Sequence, residues 1–162
     1  MYKSIIISIG TIFASHAMAE TRVTEPTQAC SLLNEVGLQG RKWSNNYGQE
    51  FSCSSPYKNI GVAFPLPNNI AYYVKGSSEK ASNFKIVLNV NDPSNASSAH
   101  KELQIASGIL VKKVTRENQN QPILNAIAQG RNFSQKTGNS TITVIKEVWP
   151  TGKGYEIRVA IE

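Results

Sequence analysis

From residue 70 onward the spacing of hydrophobic positions changes period twice, and each change predicts a change of element. Ile70, Tyr72 and Val74 alternate with Ala71 and Tyr73, and Phe84, Ile86, Leu88 and Val90 alternate with Lys85, Val87 and Asn89. A period of two sends successive side chains to opposite faces, so both stretches are predicted strands. Gly76-Ser77-Ser78-Glu79-Lys80 between them suits a hairpin loop, which makes the pair antiparallel. Asp92-Pro93 then offers an N-cap followed by proline at the first helical position, where its missing N–H is no loss. Ala99, Leu103, Ala106, Leu110 and Val114 fall on one helical stripe with Ile105 and Ile109 beside it, predicting a helix to Lys113 or Val114. Pro122 opens a second, shorter helix through Ile123, Leu124 and Ile127, and Gly130 is placed to stop it. Alternation returns at Ile142, Val144, Lys146 and Val148, and again at Tyr155, Ile157, Val159 and Ile161. Trp149-Pro150-Thr151-Gly152-Lys153-Gly154 interrupts it, so the chain is predicted to close on a β-hairpin.

Ahead of residue 70 the pattern is weaker. Ala29, Cys30, Leu32, Leu33 and Val36 recur at roughly helical spacing from Thr27, with Gly37 or Gly40 to end the run, which predicts a short helix carrying Cys30. Residues 41–67 mix Trp43, Tyr47, Phe51 and Tyr57 with polar residues and lead into the turn-rich Pro65-Leu66-Pro67-Asn68-Asn69, consistent with one or two irregular strands. Strands, then two helices, then strands give an α+β fold: a mainly antiparallel β-sheet, a short N-terminal helix, two consecutive central helices packed on one face and a C-terminal β-hairpin.

The first residues read differently. Met1, Tyr2 and Lys3 make a positive start, Ile5 to Ala14 is an apolar run broken by Ser8, Gly10 and Thr11, and Ala17-Met18-Ala19 has the form of a cleavage site. The apolar run is about half of the ~20 residues that span a bilayer, so residues 1–19 are expected to be a cleavable secretory signal peptide rather than an anchor. Residues 20–26 then form a flexible lead-in and 27–162 a single domain. The 162 residues carry 17 Lys plus Arg against 11 Asp plus Glu; losing the leader removes one lysine and no carboxylate and takes the net charge from +6 to +5. With 40% hydrophobic and 17% charged residues, the chain has the means to bury a core. The expected compartment is the periplasm of a Gram-negative bacterium, with secretion as the alternative.

Cys30 and Cys53 are the two cysteines, and in an exported protein an even count reads as a disulfide. The rival reading, lipidation at Cys30 through Thr27-Gln28-Ala29-Cys30, lacks a preceding apolar segment.

Catalytic chemistry has little material. After the leader, His100 is the one histidine; it stands two positions from Glu102, off the shared helix face of an i, i+4 pair, and reads as a solvent-facing or boundary residue. Asp92 is the one aspartate and serves as a cap, while the glutamates are scattered singly. No catalytic residue, cofactor or metal is expected: the chain has no HExxH, no His-x-His and no paired-cysteine motif. Gly152-Lys153-Gly154 lacks the rest of a phosphate loop and reads as a hairpin tip.

Binding surfaces are what remain. Trp149, Lys153 and Tyr155 on the terminal hairpin, and Trp43, Tyr47 and Phe51 near the disulfide, are candidate contact residues, although either group could instead cover the sheet. Lys112, Lys113 and Arg116 form a basic patch at the end of the long helix, where they also complement its dipole. Together with the positive net charge, the patch admits an acidic partner, an anionic membrane surface or a polyanionic wall polymer. Nucleic acid is not expected, nor a transmembrane segment after signal cleavage. The sequence therefore leads to the expectation of a small exported non-catalytic protein-binding domain, such as an envelope inhibitor, immunity-type or accessory protein. A module binding a cell-wall polymer or small ligand is the alternative, and a hydrolase with a spatially assembled Glu or His100 site a further one.

Overall fold

The structure, a computed structural model, describes residues 23–118 and 120–162. The signal peptide expected at residues 1–19 lies outside the described residues, as does the first part of the lead-in.

In chain order the elements are α1 (Pro26–Cys30), β1 (Ser44–Tyr47), β2 (Glu50–Ser54), β3 (Lys58–Ile60), β4 (Asn68–Gly76), β5 (Ala81–Val90), α2 (Ala96–Thr115), α3 (Gln121–Gln129), β6 (Phe133–Thr137), β7 (Ser140–Val148) and β8 (Tyr155–Ile161). The strands form one sheet in the order β1-β2-β4-β5-β8-β7-β6, with β3 pairing the same edge of β4 as β2, and every pairing is antiparallel. The protein is α+β, with a mainly antiparallel sheet, a short N-terminal helix, a central helix pair and the β7–β8 hairpin at its C-terminus.

Register explains the core. Phe84, Ile86 and Leu88 of β5 stand opposite Val74, Tyr72 and Ile70 of β4 and opposite Ile161, Val159 and Ile157 of β8, so the alternating residues of three strands meet on one face. All are buried under α2, whose stripe Ala99, Leu103, Ala106, Leu110 and Val114 is buried in turn, while α3 packs beside α2 and over β7. The other face is polar at its surface: the Asn89 amide donates to Asn69, and Lys85 lies 5.2 Å from the centre of the Tyr73 ring. Antiparallel sheets commonly divide their faces this way.

Several expectations are corrected. The N-terminal helix stops at Cys30, and a separate 3₁₀ turn follows at Asn34–Val36. Leu32 and Leu33 are buried all the same, because the segment is fixed from outside: the buried Tyr72 hydroxyl donates to the Ala29 carbonyl at 2.9 Å, and Cys30 is bonded to Cys53 on β2. Residues 23–26, expected within the flexible lead-in, are tied down: Val23 is buried, the Thr24 carbonyl accepts from Ala81, and the Glu25 carboxylate caps α1 by accepting from the Thr27 and Gln28 N–H groups. Three short strands, rather than one or two, occupy 41–67, and β6 joins an edge that the hydrophobic pattern left empty. Pro93 begins a 3₁₀ turn, with α2 proper starting at Ala96. Pro122 lies in the first turn of α3, and Gly130 ends it in the left-handed conformation at φ 57°.

The Cys30–Cys53 bond holds α1 to β2, the second strand of the sheet. Replacing both cysteines with alanine is expected to lower the unfolding free energy by about 3 to 4 kcal/mol, the chain-entropy value for a loop of about 24 residues. Urea titration of the two proteins checks it; an unchanged midpoint contradicts the role given to the bond.

Candidate functional site

One end of the sheet gathers the start of β4, the end of β5 and the β7–β8 turn. Asn68 organises it. This side chain is completely buried, and its amide donates to the Asp92 carbonyl at 3.1 Å while its carbonyl accepts from the Asp92 N–H at 2.8 Å. Asn91 donates to the Pro67 carbonyl at 2.7 Å from the same stretch. The base of the 61–67 loop is thereby tied to the β5–α2 connection. Asp92 in turn accepts from the Ser94 hydroxyl and N–H and from the Asn95 amide, and these bonds, that of the Ser94 hydroxyl foremost, hold its carboxyl below the usual range.

What this framework presents is apolar. Val62 is 94% exposed, Phe64 98% and Leu66 60%, with Phe64 and Pro65 joined by a cis peptide. Across a cleft of about 490 Å³ stand Trp149, Thr151 and Lys153 of the terminal hairpin, with Asn91, Asp92 and Pro93 also lining it. Val148, 61% exposed, comes just before Trp149. The hairpin wall is close-packed: a Cβ at Gly154 would lie 2.4 Å from the Val90 carbonyl oxygen and 2.6 Å from Cζ3 of Trp149, so the indole folds back over Gly154 while also lining the cleft.

A family model, Family of unknown function (DUF6030), matches residues 18–152, a stretch that takes in the 61–67 loop, residues 91–93 and the hairpin as far as Gly152. The chain belongs to that family. No curated protein and no solved structure matches it significantly.

The candidate residues divide between the two ends of the sheet. Trp149, Lys153 and the half-buried Tyr155 lie at the cleft end. Trp43 is half-buried and donates through Nε1 to the Ser77 carbonyl, in the turn at the other end of β4. Tyr47 is 88% exposed on edge strand β1, and Phe51 is half-buried opposite Gly76. Nine residues of strand separate the ends, roughly 25 Å, so the two aromatic groups do not make one surface. The basic patch is also partly committed: Lys113 donates to the Leu32 carbonyl at 2.7 Å and pairs with Glu35 at 3.2 Å, while Lys112 and Arg116 are exposed and Arg116 caps α2 at φ 67°.

His100 is half-buried and bridges elements, its Nδ1 3.2 Å from the Ala128 carbonyl and its Nε2 2.9 Å from the Tyr155 hydroxyl. A histidine beside a hydroxyl invites comparison with a nucleophile and its base. The electrostatics run the other way. Burial holds the imidazole pKa below its ordinary value, with Lys146 adding to the effect and the Ala128 bond opposing it, and burial raises the Tyr155 phenol. Both shifts favour the neutral forms, which suits a hydrogen bond between neutral groups rather than proton abstraction. Among the described residues no group of three or more His, Cys, Asp or Glu side chains comes together to hold a metal, and no helix is long and apolar enough to cross a membrane.

Val62, Phe64 and Leu66 were absent from the sequence candidates. Their signal was available: apolar residues at alternate positions, where Pro65 and Pro67 forbid a central strand, have no core face to turn toward. Asn68→Ala leaves the Asp92 N–H unpaired and its carbonyl with the Asn95 N–H as its remaining donor, and is expected to cost about 1 to 3 kcal/mol and to speed hydrogen exchange across 61–67. Denaturation with exchange mass spectrometry checks this; unaltered exchange in the loop contradicts the clamp.

Proposed function

We propose that this protein is an exported, non-catalytic accessory or inhibitor domain that binds another envelope protein through the 61–67 loop and the cleft beside Trp149. The observation that carries the reading is Phe64, 98% exposed between Val62 and Leu66 on a loop whose base is hydrogen-bonded. Single exposed apolar residues are ordinary, whereas a contiguous group with a polar rim marks an interaction site. The leader-like N-terminus and the Cys30–Cys53 bond support export.

Magnitudes favour a protein over a lipid surface. Burying Val62, Phe64 and Leu66 yields roughly 5 to 8 kcal/mol before the losses of association. That is comparable to a single acyl chain, which holds a membrane only marginally unless a polybasic patch assists it. Here Lys112 and Arg116 lie at the far end of α2, a helix roughly 30 Å long, so charge and apolar surface do not act on one plane. A protein pocket receiving Phe64 while filling the cleft gains buried area from both partners, with Lys153 at the rim to meet an acidic group.

The test uses the oxidised mature chain, residues 20–162, as bait for crosslinking capture from the native envelope. One dominant protein, displaced by untagged domain, is expected. Phe64→Ser with Leu66→Ser should weaken capture by roughly 30-fold or more, as loss of a 2 kcal/mol anchor implies, while Tyr47→Ser should leave it intact. Equal capture by the double variant contradicts the reading.

A further inference from the structure

His100 joins three elements at the back of the Trp149 wall. From α2 it reaches Ala128 of α3 through Nδ1 and Tyr155, the first residue of β8, through Nε2. A carbonyl can only accept, so Nδ1 carries the hydrogen. In the neutral ring Nε2 therefore accepts from the Tyr155 hydroxyl. The other groups near the ring are Lys146 of β7, whose ammonium lies 4.1 Å from the Tyr155 ring centre, and Ser97, Lys101 and Gln104 of α2, which share a cavity with it. None of these is a carboxylate, and Glu102 on the same helix pairs with Lys58 at 2.9 Å instead. A second proton on His100 makes Nε2 a donor, so the Tyr155 hydroxyl must turn its own hydrogen away in order to accept, and it places a positive charge in a half-buried site beside Lys146, with no carboxylate among these neighbours to offset it. Tyr155 follows Gly154, which is packed against both the Trp149 ring and the Val90 carbonyl, so a displaced Tyr155 is transmitted to the wall of the cleft.

We propose that His100 is a proton-operated staple for the Trp149 hairpin, holding the cleft wall in place when neutral and releasing it when charged. The inference rests on the reading of that cleft as the contact surface and gives that surface a pH dependence. Burial is the first cause holding the folded-state pKa of His100 below the ordinary 6.5. The staple's contribution to stability is therefore complete above 6.5, is lost as pH falls from 6.5 toward the lower folded-state value, and falls no further below it. Acid should accordingly loosen the hairpin before it unfolds the domain.

The experiment is an NMR titration of the oxidised mature chain from roughly pH 7.5 to 4.5, a window spanning histidine ionisation. The signals followed are the His100 ring, the Trp149 indole N–H and the amides of Gly152, Gly154 and Tyr155. Expected are a His100 midpoint below 6.5 and hairpin signals that move along the same one-proton curve. In His100→Gln the hairpin signals should no longer follow that curve. Hairpin signals that stay flat while wild-type His100 titrates, or that shift identically in His100→Gln, overturn the proposal; the first result needs no substitution and so does not depend on a variant folding. Envelope capture separates the two ideas: if Phe64→Ser with Leu66→Ser leaves capture intact while the hairpin follows His100, the staple stands and the contact reading falls.

Discussion

Burial of one apolar sheet face beneath α2 is the constraint that arranges everything else in this protein. Alternation along β4, β5, β7 and β8 puts their large apolar residues on a single side, and the buried stripe from Ala99 to Val114 covers it. The opposite face is left to Tyr73, Lys85, Asn89 and Arg158, which satisfy themselves through lateral hydrogen bonds, cation–π contact and ion pairs. Val148 continues the inward alternation of Ile142, Val144 and Lys146 but is exposed, so the apolar pattern extends past the helical cover at the cleft end.

At that end, buried polar contacts take over from hydrophobic packing. Asn68 and Asn91 fix the 61–67 loop through bonds made almost wholly to backbone, so Phe64 projects from a held base. A wedge ordered before binding loses less conformational freedom on contact, which lets a small apolar surface contribute more of its burial to affinity. The same close packing makes the facing wall sensitive to its neighbours: Trp149 lies on Gly154, Gly154 on the Val90 carbonyl, and Tyr155 on His100.

Much of this architecture is legible in the sequence because a period of two or of about 3.6 survives wherever an element has one buried face. That holds for β4, β5, β7, β8 and α2. It fails for β6, an edge strand whose inward positions are Phe133, Gln135 and Thr137, with one apolar residue among them. It misleads between Cys30 and Val36, where buried leucines reflect a segment pinned by Tyr72 and the disulfide rather than a continuous helix. The cleft is half legible: Trp149 and Lys153 stand out by residue type, whereas Phe64 is recognised only by noticing that prolines deny its apolar neighbours a strand. The pairing of His100 with Tyr155 spans 55 positions and leaves no local trace.

The account's central claim, that the Phe64 end of the sheet is where a protein partner sits, is tested most directly by site-specific photo-crosslinking in the native cell. A photoreactive side chain is placed at position 62, beside Phe64, or at position 112, at the far end of α2. The account predicts a discrete protein adduct from position 62 and none of the same mass from position 112. Adducts to lipid at position 62, or the same protein adduct from both positions, would contradict it.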